Sequence, residues 1–204
     1  MEDTIISSYI ERPLLINKKK FDMRMYVAVT SFHPLRAYIY EEGLARFATE
    51  DYTNDPKILK NKFVHLTNFS INKKNQKNYV KNDNKNGDGA AKNKKKGEEE
   101  DPEQESSSKW SLRFLKIYLK KMLSEKGQRV LDNVDIFSSC HDIIIKTLIS
   151  VEQPIVRELN QIGNRQRCCF EIYGFDIIFD DQMKPWVLEV NCLPSLSSSS
   201  VFDK

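Results

Sequence analysis

The sequence predicts an α+β fold, and three observations support that prediction. Runs rich in β-branched and aromatic residues occupy the first third of the 204-residue chain. Helical patterns follow in the middle, and strand-like runs return between Cys168 and Asn191. This order of strands, helices and strands is typical of an α+β domain, and an apolar content of 40% suffices for a real core.

A β-hairpin is predicted between Met23 and Tyr40. The runs MRMYVAVTSF and LRAYIYEEG lie on either side of the turn signal His33-Pro34. A shorter strand-like run, PLLI, precedes them at Pro13 to Ile16. The first third of the chain should therefore be a set of antiparallel strands.

Residues Asn72 to Ser108 form a low-complexity segment dominated by Lys, Asn, Gly, Glu and Ser. Such a segment cannot bury enough apolar surface to offset the entropy that it would lose on ordering. We therefore expect a disordered insertion at 72–108 within one domain that spans residues 1–204.

Two helical patterns follow the insertion. In the first, apolar residues recur at helical spacing with lysines opposite, and Gly127 stands where a C-terminal cap is expected. Its apolar positions are Leu115, Leu119, Met122 and Leu123. The second pattern begins near Asp135, and Pro154 is expected to kink or divide it.

Composition and charge exclude several classes of protein. A formal net charge of +3 is too small for the basic surface of a nucleic-acid-binding protein. The apolar run from Ile143 to Ile149 is too short to cross a membrane, and the amino terminus carries no recognisable export signal. The four cysteines lack paired metal-ligand spacing, which favours reduced, buried thiols and a cytosolic compartment. We expect neither nucleic acid nor a membrane as partner.

The stretch GFDIIFDDQMKPWVLEVN, from Gly174 to Asn191, is typical of a second hairpin with polar residues inside its strands. A four-residue loop at Asp181–Lys184 would place Asp176 opposite Glu189. By alternation, their face would also hold Ile178, Val187 and Asn191. The core face would hold Phe175, Ile177, Trp186, Leu188 and Val190.

Two carboxylates that face each other across strands repel, so this pair needs a compensating cation or a proton. A Mg²⁺ ion prefers oxygen ligands and would satisfy Asp176 and Glu189, while Asn191 would add a neutral carbonyl ligand. The alternative is that the two carboxylates pair with Arg or Lys from other strands. Asp180 and Asp181 are expected to be solvated turn residues.

In the run KKKFDMR, an extended chain would turn Phe21 to the core and present Lys20, Asp22 and Arg24 on the opposite face. Two cations and one carboxylate on one face suit the binding of a charged ligand. A solvated, charged strand face is the alternative interpretation of the same pattern.

Three motifs occur in order along the chain: KKKFDMRMYVAVTSFHPLRAYIYEEGLARFAT, HLTNFSINK, and GFDIIFDDQMKPWVLEVN followed by PSL. They resemble those of the tubulin tyrosine ligase-like family, and their detail is most similar to its polyglutamylase branch. The resemblance covers Ser8 to Lys73 and Trp110 to Leu196, on either side of the insertion. The chain departs from the branch at Phe69, where Tyr is frequent, and at Leu193, where LPS replaces the usual SPS.

The resemblance implies the carboxy-terminal part of an ATP-grasp fold, in which two lobes hold ATP and Mg²⁺ between them. It implies an ATP-dependent ligase that activates a carboxylate as an acyl-phosphate, which an amine then attacks. In the polyglutamylase branch, free glutamate is joined to glutamate side chains in the acidic tails of tubulin and microtubules. A cytoplasmic, cytoskeletal location follows, with the cilium or basal body as candidate compartments.

The resemblance also implies roles for individual residues. Arg24 and Arg46 match catalytic positions near the reacting phosphate, and Arg46 and Ser70 match positions that contact the incoming amino acid. The Mg²⁺-binding positions correspond to Asp176, Glu189 and Asn191. The nucleotide-binding positions correspond to Tyr9, Ile10, Lys20, Asp22, Thr67 and Asn68.

Two other functions stay open: a non-catalytic fragment that binds tubulin, and an ATP-grasp ligase that uses another amino acid or acceptor. The resemblance begins close to the hinge between lobes, so we expect the amino-terminal lobe to lie outside this chain and the chain alone to be inactive. Arg46 has an alternative role as an ion-pair partner of Glu41 or Glu42. His65, in the motif HLTNFS, is expected to be a structural histidine.

Overall fold

The computed structural model of this chain describes residues 6–75, 77–79, 108–125, 137–161 and 169–196. Its strands are β1 (Leu15–Ile16), β2 (Lys19–Phe32), β3 (Leu35–Phe47), β4 (Lys109–Ser111), β5 (Glu171–Phe179) and β6 (Pro185–Cys192). Its helices are α1 (Lys62–His65), α2 (Phe69–Asn72), α3 (Leu112–Glu125), α4 (Ser138–Ser150) and α5 (Glu152–Gln161).

The strands form one antiparallel sheet in the order β4-β3-β2-β5-β6, and β1 pairs with one end of β2. Phe32 pairs with Leu35 across His33-Pro34, so the hairpin predicted from the first third of the sequence is confirmed. Antiparallel strands together with helices also confirm the α+β class. β2 lies at the centre of the sheet, where its residues contact both β3 and β5.

One face of the sheet forms the apolar core. Alternate residues of the central strands point to this face, and α3 and α4 pack against it. The strands contribute Met23, Met25, Val27, Phe175 and Ile177, and the helices contribute Leu115, Leu119, Ile144 and Leu148. Because the burial of apolar surface is the dominant stabilising term, this face anchors the strands and leaves the opposite face for polar residues.

The helices follow the predicted periodicity. The apolar positions of α3 are buried at Leu115, Leu119 and Leu123 and partly buried at Met122. The predicted cap Gly127 and the predicted start near Asp135 lie outside the described residues. The second pattern is divided between α4 and α5, and Pro154 lies in the first turn of α5, where a missing N–H breaks no helical hydrogen bond. None of the helices in the described ranges is long and apolar enough to cross a membrane.

The second hairpin has a longer loop and a different register from the prediction. Phe179 pairs with Pro185, so the loop has five residues, and its Met183 has a positive φ of 63°. Ile177 pairs with Val187, and Asp176 pairs with Glu189. Leu188 is therefore an additional residue in β6, which forms a β-bulge. The bulge restores the predicted pairing of Asp176 with Glu189.

The bulge exchanges the faces of two residues near the turn. Val187 pairs with Ile177 and packs against the core, whereas Trp186 pairs with Ile178 on the face of Asp176. The core positions predicted for Trp186 and Leu188 are wrong, because these side chains are 39% and 49% exposed. Val190 pairs with Phe175 on the predicted face but is 38% exposed. β6 forms one edge of the described sheet, which leaves its side chains less covered than those of β5.

The cysteines also differ in part from expectation. Cys140 is a buried thiol in α4, as predicted, but Cys169 and Cys192 are exposed. None of these three is joined in a disulfide.

The ends of the predicted insertion belong to the folded structure. Asn72 ends α2 and is 1% exposed, and Ser108 is also buried. The amide oxygen of Asn72 accepts hydrogen bonds from Thr49 N–H (3.0 Å) and Thr49 Oγ1 (2.9 Å). Its amide nitrogen donates to the carbonyl oxygens of Leu66 (2.7 Å) and Asn68 (3.2 Å). The boundaries at 72 and 108 are therefore wrong, and the expectation of disorder falls on residue 76 and residues 80–107, which lie outside the described residues.

We predict that Asn72→Ala destabilises the fold by about 3 kcal/mol, because it removes the side-chain partners of the buried Thr49 N–H and of the Leu66 carbonyl. Asn78→Ala is the matched control, since Asn78 is an exposed asparagine near the same segment. The control should change stability by less than about 0.5 kcal/mol. Urea denaturation of both variants measures the difference, and equal losses would contradict the role given to Asn72.

Candidate functional site

The polar face of the sheet is built by alternation along β2. Phe21 and Met23 belong to the core cluster, while Lys20, Asp22 and Arg24 alternate with them on the other face, as predicted. Pairing places Arg46 of β3 beside Asp22, and Asp176 of β5 beside Arg24. Three strands thus bring four charged residues together, which we call the Arg–Asp network: Asp22, Arg24, Arg46 and Asp176.

The Arg–Asp network is a continuous chain of ion pairs. Arg24 binds Asp176 through two hydrogen bonds, one from Nε to Oδ1 and one from Nη2 to Oδ2 at 2.9 Å. Arg46 lies between the two carboxylates: Nη2 is 2.8 Å from Oδ2 of Asp176, and Nε is 2.8 Å from Oδ1 of Asp22. A second contact joins Arg46 Nη2 to Asp22 Oδ2. Both aspartates are 2% exposed, so water screens these pairs little.

Electrostatics keeps this network charged. Burial alone would raise the pKa of Asp176, but hydrogen bonds and charge from Arg24 and Arg46 lower it below the usual value. Burial alone would lower the pKa of Arg46, but Asp22 and Asp176 raise it. Asp176 therefore follows the alternative stated from the sequence, pairing with arginines of other strands. Arg46 pairs with aspartates, and neither Glu41 nor Glu42 is its partner in the described structure.

Gly174 gives Arg24 the space to reach Asp176. A Cβ atom at Gly174 would lie 3.0 Å from Arg24 Cδ and 3.0 Å from Pro194 Cβ, closer than carbon atoms pack without displacement. The side chain of Arg24 thus crosses directly over Gly174 on its way to the carboxylate. In the sequence, the glycine of the motif GFD is the only sign of this close contact. Residue spacing did not predict that Gly174 makes room for Arg24.

Glu189 and Asn191 lie on the same face beside the network. Glu189 is exposed, and its Oε1 accepts a hydrogen bond of 3.1 Å from the amide of Asn191. The described residues include no cluster of three His, Cys, Asp or Glu side chains suited to a metal. Two carboxylates and one amide on one face still offer the oxygen atoms that Mg²⁺ prefers. Because Asp176 is held by two arginines, Glu189 is the carboxylate of the pair without an ion-pair partner in the described structure.

Lys20 lies in a cluster next to the network, which we call the Lys20 cluster: Tyr9, Lys20, Tyr52 and His65. Lys20 and His65 are buried, Tyr52 is half-buried and Tyr9 is exposed. Lys20 is 7% exposed, and its Nζ donates a hydrogen bond of 3.0 Å to the hydroxyl of Tyr9. Burial lowers the pKa of Lys20, and the charge of Asp22 opposes that change. Burial is also the main cause that raises the pKa of Tyr9. The charge of Asp22 links this cluster to the Arg–Asp network.

Three of the remaining predicted residues, Thr67, Asn68 and Ser70, lie in the segment that follows α1. Thr67 is buried, whereas Asn68 and Ser70 are exposed, with Asn68 at the N-terminal cap of α2. Ile10 is half-buried near the start of the described chain. No hydrogen bond among the described residues joins Ser70 to Arg46, so the substrate-binding pair predicted from the resemblance stays a prediction.

Two members of the Lys20 cluster were not predicted as site residues. Tyr52 had no distinguishing signal in the sequence, and His65 was expected to have a purely structural role. His65 is 8% exposed, and its Nδ1 lies 3.1 Å from the hydroxyl of Tyr9. Asp180, in contrast, is a turn residue as predicted: its side chain accepts hydrogen bonds from the backbone of Gln182 and Lys184 and from the indole of Trp186.

Known proteins match almost the whole chain. It is 42% identical over 202 residues to "Tubulin polyglutamylase TTLL5" of Mus musculus, a match that covers 99% of this chain and 13% of that protein. It is 40% identical over 199 residues to "Tubulin monoglutamylase TTLL4" of Homo sapiens, covering 98% and 14% respectively. The "Tubulin polyglutamylase ttll-4" of Caenorhabditis elegans is 37% identical over 199 residues, covering 98% and 28%.

The chain spans less than a third of the length of each of these relatives. The family described as "Tubulin-tyrosine ligase family" matches residues 1–97 and 90–204, two ranges that overlap within the predicted insertion. These matches confirm the resemblance read from the three motifs. The chain belongs to the tubulin-tyrosine ligase family.

Proposed function

We propose that this chain is part of an ATP-dependent ligase that joins free glutamate to glutamate side chains in the acidic tails of tubulin. The single observation that best supports the proposal is the Arg–Asp network, with Lys20 beside it. It places three cations, Lys20, Arg24 and Arg46, on one face of a rigid sheet. Family membership and relatives whose names describe tubulin glutamylation support the choice of substrate.

The arrangement suits a reaction between anions. Each arginine already holds a carboxylate, and the same planar fork fits the oxygens of a phosphate or of a second carboxylate. Because Arg24 and Arg46 are fixed by neighbouring strands, they need little reorganisation when negative charge develops. Lys20 adds a compact positive charge on the same face of the sheet as the two arginines. Tyr9, Ile10, Thr67 and Asn68 would complete the nucleotide site.

The proposed chemistry has two steps. An acceptor glutamate carboxylate attacks the γ-phosphorus of ATP, ADP leaves, and an acyl-phosphate results. The amine of free glutamate attacks the activated carbonyl carbon, phosphate leaves, the amine loses a proton, and an isopeptide bond forms. Arg24 and Arg46 would neutralise the oxygens that carry charge in the first step. Arg46 and Ser70 would hold the α-carboxylate of the incoming glutamate in the second.

The oxygen atoms of Glu189, Asn191 and Asp176 fit Mg²⁺, which would supply charge neutralisation at the phosphates when bound. Glu189 would be its principal carboxylate ligand, because Asp176 also serves two arginines. A carboxylate has about four lone-pair positions, so Asp176 can keep its arginines and still share one oxygen. We place this activity in the cytoplasm on the cytoskeleton, including the cilium or basal body.

The proposal is tested by acceptor profiling of the full-length protein. ATP, Mg²⁺ and labelled glutamate are supplied with peptides copying tubulin tails, and with acidic peptides of equal charge and unrelated sequence. We expect ATP-dependent incorporation into the tubulin peptides. Equal use of all acidic peptides would point instead to a ligase with another acceptor, and binding to tubulin without transfer would point to a non-catalytic module.

We predict that Glu189→Gln lowers glutamate transfer by about 100-fold or more, because it removes a charged ligand at the proposed metal position. Stability without nucleotide should change little, since Glu189 is exposed and has no ion-pair partner in the described structure. Glu41→Gln, an exposed glutamate of β3, is the matched control and should keep its activity.

The measurements are transfer rates and thermal melts, with and without ATP and Mg²⁺. The wild type should melt at higher temperature when ATP and Mg²⁺ are present together, and Glu189→Gln should lose that increase. A large drop in melting temperature of Glu189→Gln without ligands would show that Glu189 has a structural partner, and would contradict its role as a metal ligand.

A further inference from the structure

The hydroxyl of Tyr9 is the point where the Lys20 cluster converges. It accepts a hydrogen bond of 3.0 Å from Lys20 Nζ, and it lies 3.1 Å from Nδ1 of His65. Tyr52 also interacts electrostatically with Tyr9 and helps to raise its pKa. A tyrosine hydroxyl has one donor and two acceptor positions, and Lys20 and His65 occupy two of them. Its orientation is therefore fixed.

The two residues behind Tyr9 are themselves held in place. Tyr52 donates a hydrogen bond of 2.9 Å to the carbonyl oxygen of Glu11, and its ring meets the edge of His65 with centroids 5.7 Å apart. His65 is buried at the end of α1, where its ring also meets the edge of Tyr9 at 6.0 Å. The support behind the hydroxyl is thus a packed set of rings.

Lys20 needs such support if it is to contact a phosphate. A lysine side chain has four flexible bonds and a strongly hydrated ammonium, so it loses both freedom and water when it is buried. Here the ammonium lies over the ring of Tyr9, 4.6 Å from its centroid, and also donates to the hydroxyl. These two contacts fix its position before any ligand arrives.

We propose that His65 and Tyr52 are positioning residues that act through the Tyr9 hydroxyl to hold Lys20 ready for the phosphates of a nucleotide. The inference rests on the proposed function, because it takes Lys20 as a nucleotide contact. It gives His65 and Tyr52 a role in positioning Lys20. From the sequence alone, His65 was expected to be structural and Tyr52 had no predicted role.

Calorimetric titration with a non-hydrolysable ATP analogue and Mg²⁺ measures the effect in the full-length protein. Tyr9→Phe keeps the ring but removes the acceptor, and it should weaken binding about tenfold, as expected for a hydrogen bond to a charged group. His65→Ala should weaken binding to a similar extent. His65→Asn, whose amide can replace Nδ1, should recover most of the affinity.

The double variant Tyr9→Phe with His65→Ala separates positioning from simple packing. If His65 acts through the hydroxyl, the double variant binds no more weakly than Tyr9→Phe alone. Tyr52→Phe combined with Tyr9→Phe should behave in the same way. Losses that multiply, together with no recovery in His65→Asn, would overturn the proposal.

A second readout does not depend on nucleotide binding. In spectra of ¹⁵N-lysine-labelled protein, the ammonium signal of Lys20 is identified by its absence in Lys20→Met. That signal should shift or broaden in Tyr9→Phe and in His65→Ala, and return in His65→Asn. An unchanged signal in the first two variants would overturn the positioning role. Unchanged nucleotide affinity in Lys20→Met would instead overturn the nucleotide site, so the two failures are distinguishable.

Discussion

Two buried aspartates and two half-buried arginines join the central strands, and each is held by a neighbour of opposite sign. Removing one member would leave a buried charge without compensation, which typically costs about 3–5 kcal/mol. Each strand must also keep its register, because a shift of one residue would turn Asp22 or Asp176 into the apolar core. The network therefore couples the alignment of β2, β3 and β5 to the geometry of the site.

Period-two and helical patterns predicted most of the fold, because they report directly on which side chains face the core. The first hairpin, the alternation around Phe21 and the apolar stripe of α3 were all predicted correctly. The second hairpin was predicted only in part. Its bulge at Leu188 and the positive φ of Met183 are single-residue features, and an alternating pattern carries no information about them.

The site was predicted less completely than the fold. Spacing within one hairpin gave the correct pairing of Asp176 with Glu189 only because the bulge compensates for a loop one residue longer than predicted. One of the two arginines that hold Asp176, Arg24, lies 152 residues away along the chain. Such a partner depends on how strands are ordered in the sheet, which local patterns do not specify. The same holds for His65, whose neighbour Tyr9 comes from a segment 56 residues distant. Long-range pairing, rather than residue type, decided these roles.

The two ends of the predicted insertion meet beside the end of β3. Phe47 N–H donates to the carbonyl of Ser108 at 3.1 Å, and the amide of Asn75 donates to Thr49 Oγ1 at 3.1 Å. The entropy of closing a loop between such anchors grows only slowly, by about 0.6 kcal/mol for each doubling of its length. Evolution can therefore lengthen, shorten or rewrite the intervening residues at little energetic cost. A protein engineer could use the same junction to carry a fluorescent reporter whose termini lie close together.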